Sequence, residues 1–319
     1  MKPVLCLGDI CTDLIIPYAA AVRAKASDLP LSADLGVRPV EGGSTANTAV
    51  AISRLGIPVM FAGTCGNDAY GKMLKEGLDR EHVDTTLLGF DDEKPTQLVL
   101  LVLNEKGDRT AFACPSHSGS QHAITRDRIP DDITERICWL HVTGMMLRED
   151  PAASTQLDLM QRCREAGVPV SFDVNVRVEA LNNPMFAENL RKARSLADVI
   201  LGSAVDEIPL LAGEHDPETA ARTLAAGGAT VIVRSGELGA DLYCRDERLH
   251  SPAFRVSVAD TVGAGDTFDG AYIAARLNGL TNAGAIREAN AAAAICVSKR
   301  SGRASPTRSE LDAFLRDRK

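Results

Sequence analysis

Short, mostly apolar runs alternate with longer segments whose apolar residues return at helical spacing, and this rhythm governs the second half of the chain. Residues 140–142, 170–172, 199–201 and 230–233 are too short for buried helices and predict strands covered on both faces. Residues 152–166, 185–196 and 218–226 lie between them and predict amphipathic helices. Such alternation implies βαβ units and a mostly parallel sheet. The first half begins the same way. Residues 4–7 predict a strand ended by Gly8-Asp9. Residues 45–55 predict a helix stopped by Gly56, with Pro58 beyond. A strand at 59–62 and a helix at 70–78 follow. The tail predicts helices at 269–277, 283–297 and 309–315.

Two regions break this rhythm. Residues 10–40 carry apolar patches without a helical period. Residues 97–104 and 109–113 are strand-like arms around Glu105-Lys106-Gly107-Asp108, a hairpin turn. Residues 242–243 and 253–258 are expected as strands of a more antiparallel section. The expected architecture is one α/β domain over residues 1–319. Its core has three layers around a mostly parallel sheet, and segments roughly 10–40 and 95–115 form a small β-rich lid.

Composition narrows the function. The chain has 319 residues, 45% of them hydrophobic, enough for a core of that size. A net charge of −8 argues against nucleic acid or an anionic membrane as partner. No apolar run reaches the roughly 18 residues of a membrane span. Asp9 and Asp13 interrupt the N-terminal apolar run, unlike a signal peptide. Eight cysteines without a C-x-x-C pair fit a reduced, cytoplasmic protein, and no Cys/His cluster has zinc spacing.

The richest chemistry lies in Asp260-Thr261-Val262-Gly263-Ala264-Gly265-Asp266-Thr267-Phe268. Small residues before a helix let the N–H groups of Gly263, Ala264 and Gly265 approach an anion. Asp266 beside such an anion makes sense as a base that takes the proton of an attacking hydroxyl. The plain alternative is a strand-to-helix loop with Asp266 as its cap. Gly42-Gly43-Ser44-Thr45-Ala46-Asn47 is a second small-residue turn before a helix, suited to a polyhydroxylated ligand or simply a polar helix start. Asp9 or Asp13 follows the first strand, where a carboxylate binds ligand hydroxyls or serves only the turn. Asp173-Val174-Asn175-Val176-Arg177 puts three polar side chains on one face, with Arg177 able to neutralise an anion or to edge a solvated strand. Arg234-Ser235-Gly236-Glu237-Leu238-Gly239 lacks the full dinucleotide signature. Asp206 and Glu207 either organise Mg²⁺ through water or cap a helix. Gly66-Asn67-Asp68-Ala69-Tyr70-Gly71-Lys72-Met73 imitates a phosphate loop but lacks its Ser/Thr, so Asp68 is read as a cap. The histidines, among them His82, His117, His122 and His141, read as structural.

In this order the motifs resemble the ribokinase-like PfkB family of carbohydrate kinases across nearly the whole chain. The strongest matches are 42–49 and 260–268. Supporting matches are 8–13, Pro95-Thr96, 107–110, 173–177, 234–239, and the alanine-rich helix around Asn290 with Gly302 and Pro306 after it. The resemblance implies ATP-dependent phosphorylation of a sugar-like hydroxyl. It makes Asp266 the base and Gly263, Ala264 and Gly265 the anion hole. It makes Asp13, Gly42, Gly43 and Asn47 sugar contacts, and sets Arg234, Gly236, Gly239 and Asn290 near the nucleotide. Mg²⁺ would travel with ATP beside Glu207 or Asp206, and a K⁺-like ion would sit by Asp260 and the Val262 carbonyl. Cys11 and Ser44 replace residues common in ribokinases, so ribose is disfavoured. The Asp173-x-Asn175-x-Arg177 pattern looks more like kinases of fructose and of 2-keto-3-deoxy sugar acids. Tyr18 is the sole aromatic of the first lid segment, which speaks against a nucleoside. A non-catalytic sugar sensor on the same fold, a dinucleotide oxidoreductase, and a homodimer through the lid edge are further expectations to weigh.

Overall fold

The computed structural model describes residues 1–17, 37–103, 109–114, 119–176, 182–299 and 303–318. The expected hairpin turn Glu105-Lys106-Gly107-Asp108, Tyr18, His117, Arg177 and Gly302 lie outside them. The main sheet is built from β1 (Val4–Leu7), β4 (Val59–Gly66), β5 (Asp84–Asp91), β8 (Trp139–Thr143), β9 (Val170–Asp173), β10 (Val199–Ser203), β11 (Thr230–Arg234), β12 (Ala240–Cys244) and β13 (Glu247–Ser251). Their order is β13-β12-β11-β10-β9-β8-β1-β4-β5. Pairing is parallel from β11 to β5, while β12 and β13 add an antiparallel edge.

Alternation along each strand divides the core. In β1, Leu5 and Leu7 face one layer and Val4 and Cys6 the other. Helices Ala152–Glu165, Pro184–Leu196 and Pro217–Ala225 cover the first face. Helices Ser44–Arg54, Ala69–Arg80, Ala264–Leu277, Asn282–Val297 and Arg308–Arg316 cover the second. This is the expected three-layer α/β core. His141 of β8 is fully buried within it, and its Nδ1 lies 2.9 Å from Ser171 Oγ. Burial pushes the His141 pKa down to about 3, so it stays neutral.

The arrhythmic segments form a second sheet, β3-β2-β6-β7, from β2 (Cys11–Pro17), β3 (Arg38–Gly42), β6 (Leu98–Leu103) and β7 (Arg109–Cys114). β2 pairs parallel with β6, while β2/β3 and β6/β7 are antiparallel.

Two expectations need correction. Residues 253–258 form no strand; the antiparallel partner of β12 is Glu247–Ser251, and the chain after it forms part of a cavity wall. The strand expected at 59–62 runs on through Gly63, Thr64 and Cys65 to Gly66, because β5 supplies a parallel partner that the sequence did not reveal. Asp68 does cap the next helix, accepting from Gly71 N at 2.8 Å.

Candidate active site

Two helices cross tightly at Gly270. A Cβ added there would lie 2.7 Å from the Ala51 Cβ, so only glycine permits this approach. The crossing brings the start of helix Ser44–Arg54 against the start of helix Ala264–Leu277. Asp266, in the first turn of the latter, accepts the Ser44 hydroxyl on Oδ1 at 2.6 Å and the Asn47 Nδ2 on Oδ2 at 2.8 Å. Its carbonyl accepts from Thr48 Oγ1 at 3.3 Å. Asp266 is partly open to solvent yet ringed by protein atoms. Burial pushes its pKa up to about 6, against the hydrogen bonds from Ser44 and Asn47 and the charge of Arg234, which lower it. Asp266 does not serve as the expected alternative cap: Gly263 is the N-cap residue of its helix, in a left-handed conformation at φ 74°.

The first acidic pair separates cleanly. Asp9 is buried and accepts Ser44 N at 2.8 Å, Thr45 N at 3.2 Å and Thr45 Oγ1 at 2.8 Å, so it caps the Ser44 helix from outside. Asp13 lies on β2, and a Cβ on Gly42 would stand 2.8 Å from its carboxylate. Gly43 has φ 98°, and a Cβ there would lie 2.6 Å from Ile10 Cα, which fixes glycine at that turn. A small cavity of about 90 Å³ opens here between the second sheet, through Cys11, Val99 and Ala113, and the core, through Asp9 and Arg148. His122, read from sequence as structural, is 5% exposed and lines this cavity too.

A larger cavity of about 980 Å³ lies on the other side of the turn. Ala264 and Gly265 form part of its wall with Glu207, Arg234, Gly236, Gly239 and Asn290, so the four positions expected near a nucleotide converge on one space. Asn290 Nδ2 donates to Ser251 O at 2.8 Å, which ties helix Asn282–Val297 to the end of β13. Asp266 follows Gly265 of the large cavity's wall directly, and Ser44, which donates to it, also donates its N–H to Asp9 of the small cavity.

Arg234 is held more firmly than the sequence suggests. Its Nη2 lies 2.6 Å from Asp173 Oδ1 and 3.4 Å from Glu207 Oε2, and its Nη1 lies 2.8 Å from Asp269 Oδ1. Burial works against the cation, but the three carboxylates raise its pKa overall. Burial raises Asp269 to about 7 and Asp173 well above the usual carboxylate range, with Arg234 opposing both shifts. The guanidinium lies directly under the anion turn: a Cβ on Gly265 would sit 3.0 Å from its Nη1.

Of the two acids expected beside Mg²⁺, Glu207 lines the large cavity and accepts Ser203 N at 2.6 Å, whereas Asp206 is exposed. Among the described residues, no group of three His, Cys, Asp or Glu is arranged to hold a metal ion. Asp260 accepts Val262 N at 2.8 Å, folding the chain back so that the Val262 carbonyl also receives the Cys296 thiol at 3.8 Å.

Sequence reasoning missed two residues of this site. Asp269 follows Asp266 by three positions, which puts both on one helix face. Arg303 is one of several cations between Lys299 and Arg308, with no spacing that singles it out, and its Nε donates to Asn47 Oδ1 at 3.2 Å.

A glycine-rich turn in the wall of a large cavity, followed at once by a carboxylate held by a serine hydroxyl and an asparagine amide, is the arrangement of a phosphotransferase acting on an alcohol. The profile of the pfkB family carbohydrate kinases matches residues 1–308, and the chain belongs to that family. It is 30% identical to 5-dehydro-2-deoxygluconokinase of Photobacterium profundum, over 98% of this chain and 94% of that protein. It is similar to a fructokinase double mutant from Vibrio cholerae O395 bound to fructose, ADP and a potassium ion, with TM-score 0.83, 28% identity, and 99% and 98% of the two chains covered. It is also similar to aminoimidazole riboside kinase from Salmonella enterica, complexed with aminoimidazole riboside and an ATP analogue, with TM-score 0.80, 29% identity, and 98% and 100% covered. The protein is a sugar kinase. Among its described residues, no helix is long and apolar enough to cross a membrane.

Proposed function

We propose that this kinase transfers the γ-phosphoryl group of ATP to a primary hydroxyl of an unphosphorylated ketose or 2-keto-3-deoxy sugar acid. The observation that carries the reading is Asp266, held by two donors and placed directly after the Ala264-Gly265 wall of the large cavity. Asp266 takes the proton of the attacking hydroxyl while that oxygen bonds to phosphorus and the β–γ bridging oxygen leaves with ADP. The N–H groups of Gly263, Ala264 and Gly265 hold the charge on the transferring group. Asp13, Gly42, Gly43 and Asn47 face the sugar, and Arg177, outside the described residues, serves as partner for a substrate carboxylate. Gly236, Gly239 and Asn290 line the nucleotide space, and Arg234 supports the turn from below. Mg²⁺ supplies charge neutralisation to the phosphates and would be held through water by Glu207; exposed Asp206 is the weaker candidate. A K⁺-like ion would take the Val262 carbonyl and Asp260. The second sheet acts as a lid that excludes water. Its outer strands β3 and β7 each have one side without a strand partner among the described residues, which supports a homodimer through this sheet.

An ATP-coupled screen of ketoses, 2-keto sugar acids, ribose and nucleosides, run with and without K⁺, tests the reading. Turnover of a ketose or keto acid is expected. Ribose or nucleoside turnover with inert ketoses and keto acids would overturn the substrate class, and sugar-dependent thermal shifts without ADP would overturn the reaction.

A further inference from the structure

The geometry points to Arg303 as a positioning residue: its guanidinium fixes the orientation of the Asn47 amide and, through it, the carboxylate of Asp266. This rests on the reading of Asp266 as the base. The Arg303 side chain is 4% exposed. Its three nitrogens reach three different acceptors. Nε donates to Asn47 Oδ1 at 3.2 Å, Nη2 donates to Gly42 O at 3.4 Å, and Nη1 lies 3.3 Å from Glu41 Oε2.

The two ends of a carboxamide are alike in shape and opposite in hydrogen bonding. Asp266 needs the amino end, because the carbonyl end would set one oxygen against another. Arginine only donates, so it accepts Asn47 in a single orientation, with Oδ1 toward itself and Nδ2 toward Asp266. Without Arg303 the amide is free to turn over, and the base loses one of its two donors.

Arg303 is itself anchored. Arg54 Nη1 donates to its carbonyl at 2.9 Å and to Ser305 O at 2.7 Å. Arg54 is locked by two contacts to Glu81, at 2.8 and 2.6 Å. Glu41 is held in turn by Arg80 at 2.6 Å. Burial lowers the Arg303 pKa and Glu41 opposes that shift, but an arginine remains charged across the working range. Because Arg303 also holds the carbonyl of Gly42, one cation ties the sugar-side turn to the base.

The test is a double-mutant cycle on the full chain with Arg303→Met and Asn47→Ala, read as kcat, KM for sugar and ATP, and the pH dependence of kcat/KM. The native acid limb is expected near pH 6, the value to which burial raises Asp266. Arg303→Met should lower kcat by about 10- to 100-fold and leave KM for ATP unchanged. It should also move the acid limb to higher pH, because a donor to the ionised base is lost. Adding Arg303→Met to Asn47→Ala should cost little more. Unchanged kcat and acid limb in Arg303→Met, or additive losses in the double variant, would overturn the proposal. If Arg303→Met melts below the assay temperature, Arg303→Lys replaces it under the same criteria, since lysine keeps the cation against Glu41 but lacks the planar fork. Failure of the underlying reading looks different: there Asp266→Asn itself would turn over like the native enzyme.

Discussion

Two glycine turns lead into two helices whose first turns touch, yet they treat their helix ends in opposite ways. At Gly42-Gly43 the protein fills the end itself: Asp9 accepts the Ser44 and Thr45 amides. At Gly263 no side chain of the N-cap residue closes the end, and the next residues, Ala264 and Gly265, face the large cavity. Both ends carry the same partial positive charge. One is neutralised by a resident carboxylate and becomes scaffold. The other, in the proposed reading, keeps its field for an anion from outside. The acid on the second helix, Asp266, is turned away from its own helix end and toward the first helix, where Ser44 and Asn47 receive it.

This contrast can be broken at several points. Asp266→Asn should cut kcat by at least about 10²-fold, as expected for loss of a general base. Its melting temperature should hold or rise, because a carboxylate that burial disfavours has been removed. Near-native turnover in a folded variant would take the base role away from Asp266. Gly265→Ala should reduce kcat by about tenfold, since the new methyl would stand 3.0 Å from Arg234 Nη1 and displace it or the turn. Kinetics indistinguishable from native would mean the turn does not need its close approach to Arg234. Asp9→Ala should act on stability, costing about 1–3 kcal/mol through the orphaned amides. It should also move the acid limb slightly downward, because the Asp9 charge helps raise the Asp266 pKa. Thermal denaturation and a pH profile separate these effects; an unchanged melting temperature would refute the cap.

Much of this contrast was legible in the sequence, and the illegible part has physical causes. Strands β8 to β11 and the helices between them follow from local periodicity. The two glycine turns show themselves because small residues beside a helix start have few other uses. What stayed hidden depends on contacts distant in the chain. Asp9 and Asp13 are four residues apart, and only their partners distinguish them: the Ser44 helix for Asp9, the second sheet for Asp13. Strand β5 is half-exposed at the sheet edge and carries a weak apolar pattern. Residues 253–258 have strand-like composition but meet no partner strand. Arg303 lies 256 residues from Asn47, so no spacing rule joins them. Arg234 was placed near the nucleotide by the family resemblance, while the carboxylates that bind it come from β9 and two helices.

The crowding of Asp173, Glu207 and Asp269 around one guanidinium has a calorimetric consequence. Burial raises the Asp269 pKa to about 7, so the cluster is expected to take up or release protons near neutral pH as charge enters the neighbouring cavity. A polyanion such as metal-free ATP raises a nearby carboxylate pKa, so its binding should draw protons from solution. Titrations in buffers of increasing ionisation enthalpy should then give binding heats that increase with a positive slope near pH 7. A slope of zero would mean that the cluster holds its charge state whatever occupies the cavity. Nucleotide affinity in this kinase would thus carry a pH dependence of its own, separate from that of the proton transfer at Asp266.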